Sequence, residues 1–483
     1  MRFTLMLLAA LAIALPPSAP AQPLPELGDA AGSAIAPQTE RRIGESIVRE
    51  IRFRDPAYVD DAEVTDYIDA LGRRLLGAVP GVRQDFEFFA VRDGTINAFA
   101  LPGGFIGVHT GLLTAAENES EVASVLAHEI AHVTQRHIAR MIGAQQQMQL
   151  PSMIALAAAI LIGSSRPDLA AGAAAAAQAG MVQRQLSYTR DFEREADRVG
   201  FQTLSGAGFD VHSMPGFFEK MQRQSRLADD GAVPSYLRTH PMTVERIADT
   251  AGRAASAPYR QHLDSLEFHL VRAKLRAENG EPRAAVEHFA AAIRDRRYAN
   301  EAAARYGLVT AQLRAGQTRE AQSALGALRA TGAASPMIET LQARVQRAAG
   351  DGAGALATLG KGQQRYPGRL SLAYAYVEAL EQAGRPQEAL AALAEPMRLY
   401  PRDAKLRAMQ ARIYAALGRR LLQHQAQAEV YVLRGSLPAA IEQLQLAQAA
   451  GDGNFYELSV VEARLKELRA QHVQEMKDAK QQR

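Results

Sequence analysis

The sequence predicts a mainly α-helical protein, in which an α+β domain is followed by an α-solenoid of helical repeats. Three observations lead to this fold class. Aromatic residues are only 6% of a chain that lacks tryptophan and is rich in alanine, a bias that favours closely packed short helices. Strand-like runs are confined to residues 86–108, and glycines recur at a nearly constant interval in the C-terminal half. With 483 residues, 47% of them hydrophobic, the chain can form more than one globular domain.

The N-terminus has the pattern of an export signal. Arg2 precedes an apolar run of eleven residues, LMLLAALAIAL, and the small residues APA at 19–21 form a cleavage site. A membrane anchor is the alternative, but eleven apolar residues are too few to span a bilayer. We therefore expect a signal peptide over residues 1–21 with cleavage near Ala21, a linker over residues 22–38 and a periplasmic location.

Residues 39–255 are predicted to form the α+β domain. Apolar residues recur at helical spacing over residues 37–52 and 60–78, which predicts two amphipathic helices. The runs at residues 86–93 and 96–108 predict strands, the second of them interrupted by a Pro-Gly-Gly turn. A long apolar helix follows, and it carries the most informative motif of the sequence.

That motif is HEIAH at residues 128–132. Side chains four residues apart share one face of a helix, so the imidazoles of His128 and His132 can reach the same metal ion. Neutral imidazoles suit zinc, and a catalytic zinc keeps one position open for water. Glu129 then lies where it can take the proton of that water while a carbonyl is attacked.

The third ligand must come from elsewhere in the chain. The continuation typical of metzincins is absent, because Gln135 replaces its glycine and Ile138 its third histidine. His137 lies one position away and nearly opposite on the predicted helix, so we expect it to be a surface histidine.

A downstream helix, FEREADR at residues 192–198, offers the carboxylates. Glu193 and Asp197 share a face, and Asp197 could then accept a hydrogen bond from a zinc-bound imidazole and fix its tautomer. A solvated stripe that includes Glu193 and Glu195 is the alternative, and spacing does not choose between these two glutamates.

Four segments in this order, INAFALPGGFIGVHTGLL, HEIAHVTQRHIAR, FEREADRVG and THP, resemble the BepA-type periplasmic metallopeptidases of the gluzincin family. HtpX and the CAAX prenyl endopeptidases belong to the same larger family. The resemblance implies one Zn²⁺ per chain, with Glu193 as the third ligand and Asp197 in a supporting or proton-donating role. It also implies that the strand edge within residues 96–108 holds substrate backbone, although an ordinary core hairpin is equally compatible with the residues themselves.

Two further side chains are candidates for the site. His240 precedes Pro241 and is therefore expected in a loop, either as a fourth zinc ligand or as an oxyanion stabiliser. A plain surface histidine is the alternative. Arg246 is a candidate for stabilising charge in the transition state, the alternative being a surface ion pair with Glu245 or Asp249.

Residues 150–181 contain two alanine-rich apolar runs, each shorter than a membrane span. We expect a buried helical hairpin. The alternatives are a hairpin that touches the outer membrane and a lid over the active site, because three glycines punctuate the segment.

Residues 262–470 are predicted to be tetratricopeptide repeats. Turn glycines recur at intervals of 36, 34, 34 and 34 residues, and a period near 34 is typical of this helix–turn–helix unit. An irregular helical bundle is the alternative. Small residues are expected where paired helices approach closely, and residues 471–483 are expected to be a charged, frayed tail. The turn glycines are Gly280, Gly316, Gly350, Gly384 and Gly418, and the small residues are Ala284, Ala321 and Ala389.

The charge balance differs between the two halves of the mature chain. Residues 22–260 carry 23 Lys and Arg against 29 Asp and Glu, a net charge of −6, whereas residues 261–483 carry 31 against 23, a net charge of +8. The contrast predicts two separable domains. The overall charge of +3 is too small to indicate nucleic-acid binding, and the absence of cysteine excludes disulfides and thiolate zinc ligands.

The leading interpretation is a periplasmic zinc endopeptidase whose repeats recruit its substrates. The resemblance implies that these are unfolded or misassembled outer-membrane proteins, and that the partners include their assembly machinery. A non-proteolytic chaperone or scaffold for outer-membrane protein assembly is the alternative. The complete set of His128, Glu129, His132 and Glu193 favours the enzyme.

Overall fold

The computed structural model describes residues 35–82, 84–144, 190–227 and 235–481. The predicted signal peptide, most of the predicted linker and the segment 150–181 lie outside the described residues. Within the described ranges, no helix is both long and apolar enough to cross a bilayer.

The first half, residues 37–256, is built from helices around a small sheet. Its helices are α1 (Pro37–Arg54), α2 (Ala62–Leu76), α3 (Thr110–Ala115), α4 (Glu119–Thr134), α5 (His137–Ala144), α6 (Arg190–Gly206), α7 (Ser213–Leu227), α8 (Ser235–Thr239) and α9 (Val244–Ser256). The first two helices agree with the predicted ones to within two residues at each end, because their apolar stripes are regular.

The sheet has the strand order β1-β3-β2, with β1 (Glu87–Val91), β2 (Ala98–Leu101) and β3 (Phe105–His109). Strand β1 pairs in parallel with β3, and β2 pairs antiparallel with it. The predicted strand over residues 96–108 is thus two strands, separated by a turn in which Gly103 and Gly104 have φ angles of 78° and 95°. Both angles favour glycine. Strand β2 is left at an edge of the sheet, against α4.

Helix α4 lies at the centre of this half, and every residue from Glu119 to Val133 is buried. Asn118 caps the helix by accepting a hydrogen bond from the backbone of Glu121 at 2.9 Å. Helix α6 packs tightly against α4, since a Cβ atom on Gly200 would lie only 3.1 Å from the His128 Cα. This close approach brings the carboxylates of α6 to the histidines of α4.

The second half is an array of paired helices, as predicted. The helices are α10 (Leu266–Glu278), α11 (Pro282–Arg294), α12 (Glu301–Arg314), α13 (Thr318–Arg329), α14 (Pro336–Ala348), α15 (Gly352–Arg365), α16 (Leu370–Gln382), α17 (Pro386–Leu399), α18 (Ala404–Ala416), α19 (Arg420–Leu433), α20 (Leu437–Ala449) and α21 (Phe455–Gln481). The five predicted turn glycines all have positive φ, from 64° to 83°.

A small buried residue follows most of these glycines by five positions. Ala321 and Ala389 are buried as expected, but Ala284 is exposed and its neighbour Ala285 is buried instead. The prediction for Ala284 was therefore wrong by one residue. In the predicted C-terminal tail, residues 471–481 form the end of helix α21.

The repeat array packs on the first half through a buried polar cluster. Glu63 of α2 accepts hydrogen bonds from Lys274 (2.6 Å), Tyr306 (3.2 Å) and Thr340, which lie on three helices of the array. Lys274 Nζ also lies 2.5 Å from Asp61 Oδ2. A basic residue of the array thus pairs with two acidic residues of the first half, in agreement with the opposite net charges of the two halves.

The same interface includes a continuous apolar core. Tyr67 and Leu71 of α2 belong to one buried cluster with Phe268 and Met337 of the array, and the rings of Tyr67 and Phe268 are 6.5 Å apart. The sequence analysis expected two separable domains, but separation would expose these shared side chains to water, so we now expect the two halves to fold as one unit. Composition shows that two segments differ in charge but not that they share a core.

Candidate metal centre

The two histidines of the HEIAH motif lie on one face of α4, and their side chains point towards a common site. Their Nε2 atoms are 3.0 Å apart, and both side chains are buried. Two imidazole nitrogens that face each other at this distance, without solvent, are suited to a shared cation.

Helix α6 adds a carboxylate. Glu193 places Oε2 3.5 Å from His128 Nε2 and Oε1 3.5 Å from His132 Nε2. Glu195 lies on another side of the helix, where it contacts Arg140 at 2.8 Å. The structure therefore brings Glu193, and not Glu195, to the two histidines.

His240 completes the cluster from the loop after α8. Its Nδ1 lies 3.1 Å from Glu193 Oε1 and 3.4 Å from His128 Nε2. The ring stacks on Tyr236, with centroids 4.7 Å apart, and is buried, so the surface alternative for His240 was wrong. Sequence reasoning did not identify Tyr236, for which the sequence offers no metal-related signal.

The four side chains together suit a divalent cation. One ligand atom from each of His128, His132, Glu193 and His240 lies within 4.8 Å of the others, and all four are buried. Three imidazoles and one carboxylate are a donor set that zinc accepts in four-coordinate sites.

Glu129 is adjacent to this cluster and completely buried. Its Oε1 lies 3.5 Å from His240 Nε2. Burial raises the pKa of the Glu129 carboxyl above its usual value, and the nearby histidines only partly oppose this effect. A raised pKa suits a group that must both take up and release a proton near neutral pH.

Asp197 and Arg246 form a buried pair behind the ligands. Arg246 donates to both carboxylate oxygens of Asp197 at 2.7 Å, and its Nη1 lies 2.7 Å from Glu193 Oε2. Asp197 Oδ1 lies 3.0 Å from His128 Nδ1. Burial alone would raise the pKa of Asp197, but the hydrogen bonds from Arg246 and His128 hold it below its usual value.

The alternative considered for Arg246, a surface ion pair with Glu245 or Asp249, does not form. Glu245 instead binds Arg194 at 2.8 Å, and Asp249 binds Arg253 at 2.9 Å. The Arg246 guanidinium also donates to the Pro241 carbonyl at 2.9 Å, so Asp197, Glu193 and Pro241 hold it within the protein.

His137 is the clearest correction to the sequence analysis. It was expected at the surface, but its side chain is buried, and its Nδ1 lies 2.9 Å from His132 Nδ1. Helix α4 ends at Thr134 and Arg136 has a φ of 52°, so the chain turns and His137 begins a new helix. Burial lowers the pKa of His137 to about 4, although Glu195 opposes that effect.

Taken together, an HExxH helix with a buried glutamate beside its histidines, and a carboxylate ligand from a second helix, define a metallopeptidase of the gluzincin class. The model of peptidase family M48 matches residues 62–254, and a tetratricopeptide repeat model matches residues 346–413. The chain belongs to peptidase family M48 and is a zinc metalloprotease.

Relatives of known name agree with this assignment. The Beta-barrel assembly-enhancing protease of Escherichia coli (strain K12) is 32% identical over 458 residues, which cover 93% of this chain and 92% of that protein. A Vibrio cholerae protein is 41% identical over 274 residues, 56% of each chain. The Mitochondrial metalloendopeptidase OMA1 of Schizosaccharomyces pombe is 29% identical over 211 residues, 43% of this chain and 59% of that protein.

Proposed function

We propose that this zinc metalloprotease is a periplasmic endopeptidase that assists outer-membrane protein assembly and degrades misassembled outer-membrane proteins. The observation that carries the proposal is the buried cluster of His128, His132, Glu193 and His240 beside Glu129. The names of the relatives support the assembly role. The predicted signal peptide, with cleavage near Ala21, supports the location.

Each residue of the cluster receives a role. His128, His132 and Glu193 hold one zinc, which when bound polarises the scissile carbonyl and acidifies water. Glu129 takes the proton of the attacking water and passes it to the leaving amine, for which its burial and raised pKa suit it. Edge strand β2, next to α4, holds the substrate backbone in extended form.

Asp197 and Arg246 act through the ligands and not on the substrate. Asp197 lies 3.0 Å from His128 Nδ1 and is kept ionised by Arg246, so it orients the imidazole instead of donating a proton. The guanidinium of Arg246 is held by two carboxylates and a carbonyl. We therefore assign it to positioning Glu193 and Asp197, in place of the transition-state role expected from the sequence.

His240 restrains the site at rest. Its ring lies within 3.5 Å of both Glu129 and Glu193, in the space that attacking water and substrate need. The three ligand side chains and Glu129 are at most 2% exposed, so substrate reaches them only after a rearrangement. We assign this rearrangement to displacement of the His240 loop, which follows a helix of only five residues.

The catalytic assignment is tested with unfolded casein. Glu129→Gln keeps the volume of the side chain but cannot accept the proton, so we expect a loss of hydrolysis of at least about a hundredfold with zinc retained. Glu117→Gln is the matched control, since this glutamate is exposed before the same helix. Equal hydrolysis by Glu129→Gln and the unmodified protein would remove the peptidase mechanism proposed here.

The restraint is tested by His240→Ala. We expect basal cleavage of casein, including self-cleavage, to rise while zinc stays bound. His212→Ala, at a half-exposed histidine outside the cluster, should change nothing. A hundredfold lower turnover of His240→Ala would instead assign His240 to oxyanion stabilisation. Unchanged turnover would exclude both roles.

The repeat array is the proposed surface for clients and for the assembly machinery, since arrays of this kind bind extended peptides and proteins. Photo-crosslinking in the full-length protein tests it. A crosslinking residue in place of Phe455, 87% exposed on α21, should capture an unfolded outer-membrane protein. The control position is Val244, 70% exposed on α9. Crosslinks at Val244 alone would place recruitment on the peptidase half.

The second candidate is a non-proteolytic chaperone or scaffold for outer-membrane protein assembly. The complete burial of the cluster favours it. Complementation of a deletion strain by Glu129→Gln separates the two functions. Full restoration of outer-membrane protein assembly by this variant would favour the scaffold, and failure would favour the peptidase.

A further inference from the structure

We propose that His137 and Glu195 form a hydrogen-bonded relay that holds His132 in the orientation required for zinc binding. Neither residue is one of the four cluster side chains: His137 contacts the cluster through His132, and Glu195 through His137, so both are positioning residues. The inference rests on the proposed assignment of His132 as a zinc ligand.

The relay is continuous from the metal cluster to an ion pair at its outer end. His132 directs Nε2 towards His128 and Glu193, and its other ring nitrogen, Nδ1, lies 2.9 Å from His137 Nδ1. His137 Nε2 lies 3.3 Å from Glu195 Oε2, and Arg140 donates to the same oxygen at 2.8 Å.

The tautomers follow from the chemistry of the ligand. With a metal held through the Nε2 lone pair of His132, the proton of this neutral ring would reside on Nδ1 and would be donated to His137 Nδ1. His137 must then carry its own proton on Nε2, from which it donates to the Glu195 carboxylate. Each ring donates in the same direction, and the chain ends on an anion.

The surroundings keep the His137 ring in place. The side chain is buried, and Phe192 stacks on the ring with centroids 4.7 Å apart and an angle of 14° between the planes. Arg140, which pairs with Glu195, also packs on Phe192, with its guanidinium carbon 4.7 Å from the centroid of the Phe192 ring. In this orientation both ring nitrogens of His137 have a hydrogen-bonding partner.

A hydrogen bond to the second nitrogen of a zinc-bound histidine fixes the orientation of the ring and makes it a better ligand. Loss of this hydrogen bond typically lowers metal affinity by about 10–100-fold. His128 has Asp197 in this position, whereas His132 reaches its carboxylate only through a second imidazole. The relay gives Glu195 a place in the site despite its distance from the ligands.

The test is a zinc titration of the full-length protein against a competing chelator. We expect His137→Ala to bind zinc about ten- to a hundredfold more weakly. His137→Asn retains an acceptor oxygen near the position of Nδ1 but loses the donor to Glu195, so it should recover part of the affinity. Glu195→Gln should give a smaller loss than His137→Ala, because only the terminal charge is removed.

The control for general damage is His109→Ala, at a buried histidine outside the cluster that contacts Thr95 at 3.0 Å. It should unfold at a lower temperature without weaker zinc binding. Equal affinities for His137→Ala and the unmodified protein would overturn the relay, and so would equal losses for His137→Ala and His137→Asn.

Inclusion of His132→Ala in the same titration separates this proposal from the assignment on which it rests. Undiminished zinc binding by His132→Ala would refute the ligand assignment. Loss of zinc by His132→Ala with none by His137→Ala would refute the relay alone. If His137→Ala does not fold, the Asn and Glu195→Gln variants still decide between these outcomes.

Discussion

Replacement of Lys274 by methionine should show that the repeat array and the peptidase half are one folded unit. The ammonium group lies 2.5 Å from Asp61 and 2.6 Å from Glu63, and its side chain is only 5% exposed. Methionine keeps the apolar stem but removes the charge. Two carboxylates, themselves 19% and 8% exposed, then face each other without a cation.

The expected cost follows from the burial of this cluster. Removal of one partner from a buried ion pair typically destabilises a protein by about 3–5 kcal/mol, because the remaining charge is left unpaired. Tyr306 and Thr340 still donate to Glu63, so we place the loss near the lower end, at about 3 kcal/mol. Addition of Glu63→Gln should recover part of it, since a neutral amide can still accept these two hydrogen bonds.

Urea unfolding followed by circular dichroism measures the change, and we expect one transition for the whole chain in the unmodified protein. The matched control is Lys405→Met, because Lys405 lies 4.0 Å from Asp60 in an exposed pair at the same interface. Such a pair contributes at most about 1 kcal/mol. A loss in Lys274→Met no larger than in Lys405→Met would refute the reasoning.

Two further predictions concern the same interface. The fragment 1–261 should fail to fold into a stable domain, because it exposes Tyr67 and Leu71. A cooperative thermal transition of the isolated fragment would contradict this. Burial raises the pKa of Asp66 to about 6, against hydrogen bonds from Ser371. The pKa of Asp66 is higher in the folded protein than in the unfolded chain. Protonated Asp66 therefore stabilises the folded protein below about pH 4, and this contribution is lost as the pH rises through about 6. Asp66→Asn should abolish a decrease of about 2 kcal/mol in the free energy of unfolding between roughly pH 4 and 7, and an unchanged pH dependence in urea titrations would contradict the assignment.

The sequence predicted the structure correctly where a regular spacing of residues determines it. The 34-residue spacing predicted the repeat array, and the i, i+4 spacing placed His128 and His132 on one face of a helix. The choice between Glu193 and Glu195 needed the packing of α6 on α4, because residues two apart point to nearly opposite sides of a helix.

The failures came from features without a local signature. The sequence analysis extended the helix through Arg136 and therefore predicted His137 at the surface. Arg136 instead adopts a left-handed backbone conformation, which residues other than glycine rarely take. The shared core was missed because Glu63 and Lys274 are about two hundred residues apart in sequence, and nothing local to either residue indicates the contact.

The most direct test of the central claim is the zinc content of three purified proteins after removal of loosely bound metal. The unmodified protein and Glu129→Gln should each contain one zinc per chain, because Glu129 is not a ligand in the proposed site. His132→Ala should lose its zinc, since one of the two imidazoles of α4 is removed. Zinc that remains undiminished in His132→Ala would contradict the assignment of the buried cluster as the catalytic metal site.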